Sequence, residues 1–144
     1  MNAAALIPNA RPTLAAWHEM LATLSFERLG DIMADDVVFR SPVAHMPYPG
    51  RAAIVLVLTT VNQVFQEFRY HRSFVSEDGH SVVLEFSAQV DGKQLKGIDM
   101  IRFDAQGKIA EFEVMIRPLS GLQALGAAMG ARLASQKQVL TGAA

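Results

Sequence analysis

Residues 81–103 read SVVLEFSAQVDGKQLKGIDMIRF, and their alternation decides the fold. From Ser81 to Val90 one parity, Val82, Leu84, Phe86, Ala88 and Val90, is wholly apolar, while Val83, Glu85, Ser87 and Gln89 are mixed. Side chains on a strand point alternately to its two faces, so the apolar parity is the core side. Asp91-Gly92 is a hairpin turn signal, and Gln94–Phe103 reads as the returning strand. There Lys96 and Arg102, with Ile98 and Met100, take the outer face, which leaves Leu95, Gly97, Asp99, Ile101 and Phe103 inside. Asp99 is thus a carboxylate on the apolar side of the sheet. An isolated buried charge costs so much that such a group neutralises or finds a partner.

The same reading extends in both directions. Lys108–Arg117 is a strand with Ala110, Phe112, Val114 and Ile116 inward and Ile109, Glu111, Glu113, Met115 and Arg117 outward. Tyr70–Ser76 precedes the quoted stretch, and Asp78-Gly79 and Ala105-Gln106-Gly107 supply the remaining turns. Four strands in sequential hairpins predict an antiparallel sheet. The first half has helical period instead. Thr13–Leu24 carries Leu14, Trp17, Leu21 and Leu24; Ser25 is a potential N-cap for a short helix to Met33, with Phe26, Leu29, Ile32 and Met33 as its stripe. Val37–Ser41 reads as a strand stopped by Pro42. Pro42–Gly50 contains three prolines and a glycine, a loop expected to stay out of any sheet. Arg51–Phe68 is a long helix, and Leu119–Leu133 a last one that Gly121, Gly126 and Gly130 weaken until it is packed. Residues 1–12 and 135–144 are expected to be loosely held.

Composition sets the outer bounds. The chain has 144 residues, 51% hydrophobic and 19% charged, with 13 Lys+Arg against 14 Asp+Glu and no cysteine. One domain over 1–144 is expected, large enough for a core without disulfides. A net charge of −1 and a pI near 6.4 provide no basic field for nucleic acid. No stretch approaches the ~20 apolar residues of a membrane helix, and Met1–Pro8 lacks the pattern of a signal peptide. A soluble, cytoplasmic protein is the expectation. His18, His45, His71 and His80 fall on different elements without ligand spacing, so neither a metal nor another cofactor is expected.

The order helix, helix, strand, long helix, antiparallel strands resembles the NTF2-like α+β cone, which includes the SnoaL-like proteins. Local signatures are Ala34-Asp35-Asp36, Ser41-Pro42-Val43, Gly50-Arg51-Ala52-Ala53-Ile54 and Gly107-Lys108-Ile109. The resemblance implies a curved antiparallel sheet packed on three N-terminal helices, with a C-terminal helix beside the cone's mouth. Ile98-Asp99-Met100-Ile101-Arg102-Phe103 is similar to the ketosteroid isomerase strand that bears an oxyanion-hole aspartic acid. Carried over singly, the oxyanion acid falls on Asp99, the general-base aspartate on Ser41 and the oxyanion tyrosine on Trp17. A serine has no base of its own, and an indole N–H only donates, so the standard isomerase set is incomplete. A limonene-epoxide-hydrolase-like Asp-Arg-Asp set is not matched either, because Arg102 is out of register with Asp99. A SnoaL-like cyclase needs fewer polar groups.

The resemblance therefore implies a pocket lined by Trp17, Phe39, Ser41, Tyr48, Leu84, Phe86, Phe112, Val114 and Ile116, with Asp99 as its acid and His45, or a water, as base. The ligand would be a hydrophobic small molecule bearing a carbonyl or hydroxyl. Two readings stand: a proton-transfer enzyme of isomerase or cyclase type, and a non-catalytic binder or dimeric scaffold. The outer register mixes Val83, Ile98, Met100, Ile109 and Met115 with both charge signs, a surface suited to a two-fold homodimer.

Overall fold

The computed structural model describes residues 3–141. Helix α1 spans Arg11–Thr23 and is followed by a 3-10 turn at Leu29–Ile32, strand β1 at Met33–Arg40, β2 at Tyr48–Pro49 and helix α2 at Arg51–Val64. Then come β3 (Gln66–Val75), β4 (Ser81–Val90), β5 (Lys93–Phe103), β6 (Ile109–Arg117), α3 (Leu119–Leu133), a 3-10 turn at Ala134–Gln136 and α4 (Lys137–Thr141). The six strands form one sheet in the order β2-β1-β6-β5-β4-β3.

The parity reading describes the inner face of β4 and β5 closely. Val82, Leu84, Phe86, Ala88 and Val90 are buried, as are Leu95, Asp99, Ile101 and Phe103. In β6 it fails at one residue. A register irregularity between Arg102 and Phe103 pairs Arg102 with Glu111 but Phe103 with Ile109, so one residue is absorbed and Ile109 turns inward, fully buried. Ile109 therefore belongs to the core and not to the outer face.

Several expected boundaries move for identifiable reasons. The stretch Ser25–Met33 is too short, with Gly30 in its middle, to sustain a helix. It makes only the 3-10 turn, yet Leu29, Ile32 and Met33 are buried as that stripe requires. Leu24, counted in the α1 stripe, is the left-handed residue that ends α1 at φ 52° and is exposed. Helix α2 stops at Val64 rather than Phe68, and β3 starts at Gln66. The proline-rich loop does join the sheet, since Tyr48 pairs with Phe39 and Pro49 with Val38. Pro49 is tolerated because β2 is the sheet edge, where its missing N–H interrupts no ladder. Nor is the sheet purely antiparallel: β1 runs parallel to β6.

Most of the N-terminal segment expected to be loose is anchored. Leu6 and Ala10 are buried, Ile7 N–H donates to Gly79 O at 3.0 Å, and Thr13 Oγ1 donates to Gly107 O at 2.5 Å. Gly79 sits at φ +75°, where a Cβ would lie 2.8 Å from Ala5 O, so this turn requires glycine for the segment to dock. At the other end, Leu140 packs against the core. Residues 1–2 and 142–144, part of those expectations, lie outside the described residues.

Candidate functional site

Three elements converge on one hydrogen-bonded chain. Helix α1 delivers Trp17, 2% exposed; β3 delivers Tyr70; β5 delivers Asp99, 6% exposed. The indole Nε1–H of Trp17 donates to the Tyr70 hydroxyl at 2.9 Å, and that hydroxyl donates to Asp99 Oδ2 at 2.5 Å. Burial pushes the Asp99 carboxyl up to about 7, and the hydrogen bond from Tyr70 partly offsets this. The Tyr70 phenol is held well above its ordinary range, first by burial and then by the adjacent Asp99. His18, edge-on to the Tyr70 ring with centroids 5.5 Å apart, is pulled down by burial.

The second carboxylate oxygen, Oδ1, has no hydrogen-bond partner among the described residues. None of their buried side-chain polar atoms is unpaired, so Oδ1 is reachable by solvent, and Asp99 lines a cavity of about 400 Å³. That volume is in the range of sites for small organic ligands. Its wall combines the inner face of β1 and β6 (Phe39, Phe112, Val114, Ile116), one side of α2 (Val57, Leu58, Val61, Asn62), and Leu125, Met129, Leu133 and Leu140 from the C-terminal helices. Ser41 and Tyr48 also line it. Ser41 Oγ accepts from Val43 N–H at 3.1 Å, and the Tyr48 ring stacks on Phe39.

Of the residues expected to build a pocket, Trp17, Phe39, Ser41, Tyr48, Asp99, Phe112, Val114 and Ile116 are brought together. Leu84 and Phe86 are not on the wall: both are buried behind it, and Phe86 is covered by the rings of Phe65 and Phe68 at 5.6 and 5.2 Å. His45 is exposed on the loop and is not part of the cavity wall, so the structure does not join it to Asp99. Phe65, Phe68 and Asn62 are site residues that sequence reasoning misses, and Tyr70 is one that it leaves open between the pocket's mouth and the surface. The signal for Phe68 and Tyr70 is their shared strand parity, hidden because Phe68 reads as the end of a helix. Among the described residues no group of three or more His, Asp or Glu is close enough to hold a metal ion, and no helix is long and apolar enough to cross a membrane.

A curved sheet with helices over one face and an apolar cavity between them is the NTF2-like cone. Within that class the SnoaL-like domain matches residues 14–112, and the chain belongs to this family. A solved structure of a steroid delta-isomerase from Pseudomonas aeruginosa is 56% identical, with 90% of this chain and 95% of that one covered and a TM-score of 0.88. An uncharacterized bacterial protein with a cystatin-like fold from Silicibacter pomeroyi is 35% identical over 90% of both chains, with a TM-score of 0.81. An NTF2-like protein of unknown function from Mesorhizobium loti shares the fold at 16% identity, covering 76% of this chain and 92% of that one, with a TM-score of 0.66. A search of the curated proteins found no match.

Proposed function

We propose that the protein binds a hydrophobic small molecule carrying a carbonyl or hydroxyl, and that Asp99 acts on it as an acid in isomerase-type proton transfer. The carrying observation is the free Oδ1 of a buried carboxyl opening onto an apolar cavity. When a proton leaves the carbon beside a carbonyl, negative charge gathers on the oxygen. A neutral acid already aimed at that oxygen stabilises the charge without reorganising, and the low dielectric strengthens the bond. Burial raises the Asp99 carboxyl to about 7, so the donor is present below that pH and in part at neutrality. The likeness to a steroid delta-isomerase at 56% identity supports a fused-ring ketone as the first ligand to try. With His45 off the wall, the base in this reading is a water in the cavity.

The second reading, ligand binding without turnover, is favoured by one observation: His45 is exposed and off the cavity wall. Thermal-shift and spectrophotometric assays with a Δ5-3-ketosteroid separate the two, using wild type and Asp99→Asn. Binding by both with turnover faster in wild type than in the variant, whose amide is a weaker donor, supports the enzyme. Binding by both with no turnover by either supports the binder. No binding of this ketone or of smaller apolar ketones overturns the proposal. We further propose that the outer sheet face, where Met115 is 45% exposed beside Ile98 and Met100, pairs with a second copy of the chain.

A further inference from the structure

We propose that Trp17 is a positioning residue for Asp99: acting through Tyr70, its indole fixes the direction of the hydrogen-bond chain and thereby keeps the acid's proton on Oδ1, the oxygen that opens onto the cavity. This deepens the acid role assigned above and rests on it.

Direction follows from donor and acceptor chemistry. An indole N–H can only donate, whereas a phenol has one hydrogen to donate and lone pairs that accept. Trp17 is 2% exposed and its Nε1–H points at the Tyr70 oxygen at 2.9 Å. If Tyr70 turned its hydrogen toward the indole, two hydrogens would face each other and a buried N–H would lose its partner. The Tyr70 hydrogen is therefore committed to Asp99 Oδ2, 2.5 Å away. A proton on Oδ2 would collide with it in the same manner. When Asp99 is protonated, the proton resides on Oδ1.

Among the described residues no side chain hydrogen-bonds Oδ1. The residues opposite Asp99 on the adjacent strands are Leu84 on β4 and Val114 on β6, both apolar. His18 is the titratable group packed on Tyr70 from α1, and it meets the ring edge-on, with centroids 5.5 Å apart. The acid form of Asp99 thus presents a hydrogen, and the site selects a ligand oxygen that accepts. A tyrosine at position 17 could donate or accept, and the chain could then run either way.

The test uses the full chain without ligand, so its failure is separate from failure of the functional reading. The sequence contains one tryptophan, and its indole N–H gives one assignable ¹⁵N–¹H peak. In wild type that peak is expected to titrate with the midpoint of the Asp99 carboxyl ¹³C shift, and in Tyr70→Phe that coupling is expected to vanish. Trp17→Phe frees a Tyr70 lone pair to accept from Oδ2–H and weakens the remaining donor bond. Both effects favour the protonated acid, so the Asp99 midpoint should rise, by less than in Tyr70→Phe. Trp17→Phe added to Tyr70→Phe should move it no further. An indole peak flat through the Asp99 transition overturns the proposal, as does a Trp17→Phe shift of equal size in both backgrounds, which would make Trp17 a packing residue only. If Trp17→Phe does not fold, the indole titration in wild type and Tyr70→Phe decides alone.

Discussion

Tyr70 and Asp99 meet across an intervening strand: they stand on β3 and β5, with β4 between, and their oxygens are 2.5 Å apart. Tyr70 pairs with Phe86 and Asp99 with Leu84, so the contact is diagonal over β4. Register shifts on either side of Arg69 and Tyr70 bend β3 over the inner face and bring the phenol within reach.

Burial of Asp99 has a sign that stability measurements read directly. Its folded value of about 7 lies above the ordinary 3.8, so the folded state binds the extra proton and stability is lost as pH rises from about 4 through 7. A tenfold difference in proton affinity between the folded and unfolded chain is worth about 1.4 kcal/mol. Asp99→Asn removes this slope. Urea unfolding at pH 8 is expected to find the variant more stable than wild type by a few kcal/mol, with the advantage gone near pH 4. A difference that does not vary with pH would mean an ordinary carboxylate.

Ligand binding should follow the same proton in the opposite measurement. If Oδ1–H donates to a ketone, affinity is constant below pH 7 and falls about tenfold per pH unit above it, as the ionised carboxylate repels the carbonyl oxygen. Calorimetry with an apolar ketone from pH 5 to 9 checks this. Asp99→Asn, which keeps a donor but not a titrating one, is expected to bind with little dependence on pH across that range.

How far the site can be read from sequence depends on how local its determinants are. Asp99 is legible because parity is a two-residue rule, and β5 keeps its register against β4 from Lys93 to Arg102. Ile109 is misassigned because one bulge, at Ala110 opposite the Arg102–Phe103 step, reverses parity beyond it, and no sequence signal distinguishes that from a regular hairpin. Tyr70 stays undecided in the sequence since its role depends on residues 17 and 99, which only the folded sheet brings near. Pro49 reads as barred from a sheet, a rule that holds for central strands and not for an edge. The C-terminal wall, Leu133 and Leu140, is invisible beyond a general expectation that the last helix lies by the opening.

Gly97 is expected to be irreplaceable behind the cavity wall, where β5 packs on β6. A Cβ there would strike Met115 O, which the β5–β6 ladder holds in place, and come 2.7 Å from Phe86 Cζ and 2.9 Å from Ile116 Cγ1. Overpacking of this kind costs typically ~1–3 kcal/mol. Gly97→Ala should lower the melting temperature accordingly, and should weaken ligand binding as well, because Ile116 lines the cavity and Phe86 backs Phe65 and Phe68. An unchanged melting temperature would show that β5 and β6 separate more easily than the packing implies.

The outer face offers a separate test, independent of the cavity. Glu85, 5% exposed, is clamped there by Arg72 at 2.7 Å and Lys96 at 2.9 Å, which hold its carboxyl well below the usual carboxylate range. Glu85 is therefore already paired within one chain, beside the apolar surface that Ile98, Met100 and Met115 provide. A second copy can cover Glu85 without burying an unpaired carboxylate. Met115 lies opposite Ile98 across β5–β6, so Met115→Lys places an ammonium in the middle of that surface while leaving the inner face untouched. Light scattering at micromolar concentration is expected to give twice the chain mass for wild type and the single-chain mass for the variant, with the circular dichroism of the two alike. Wild type at the single-chain mass would count against the dimer.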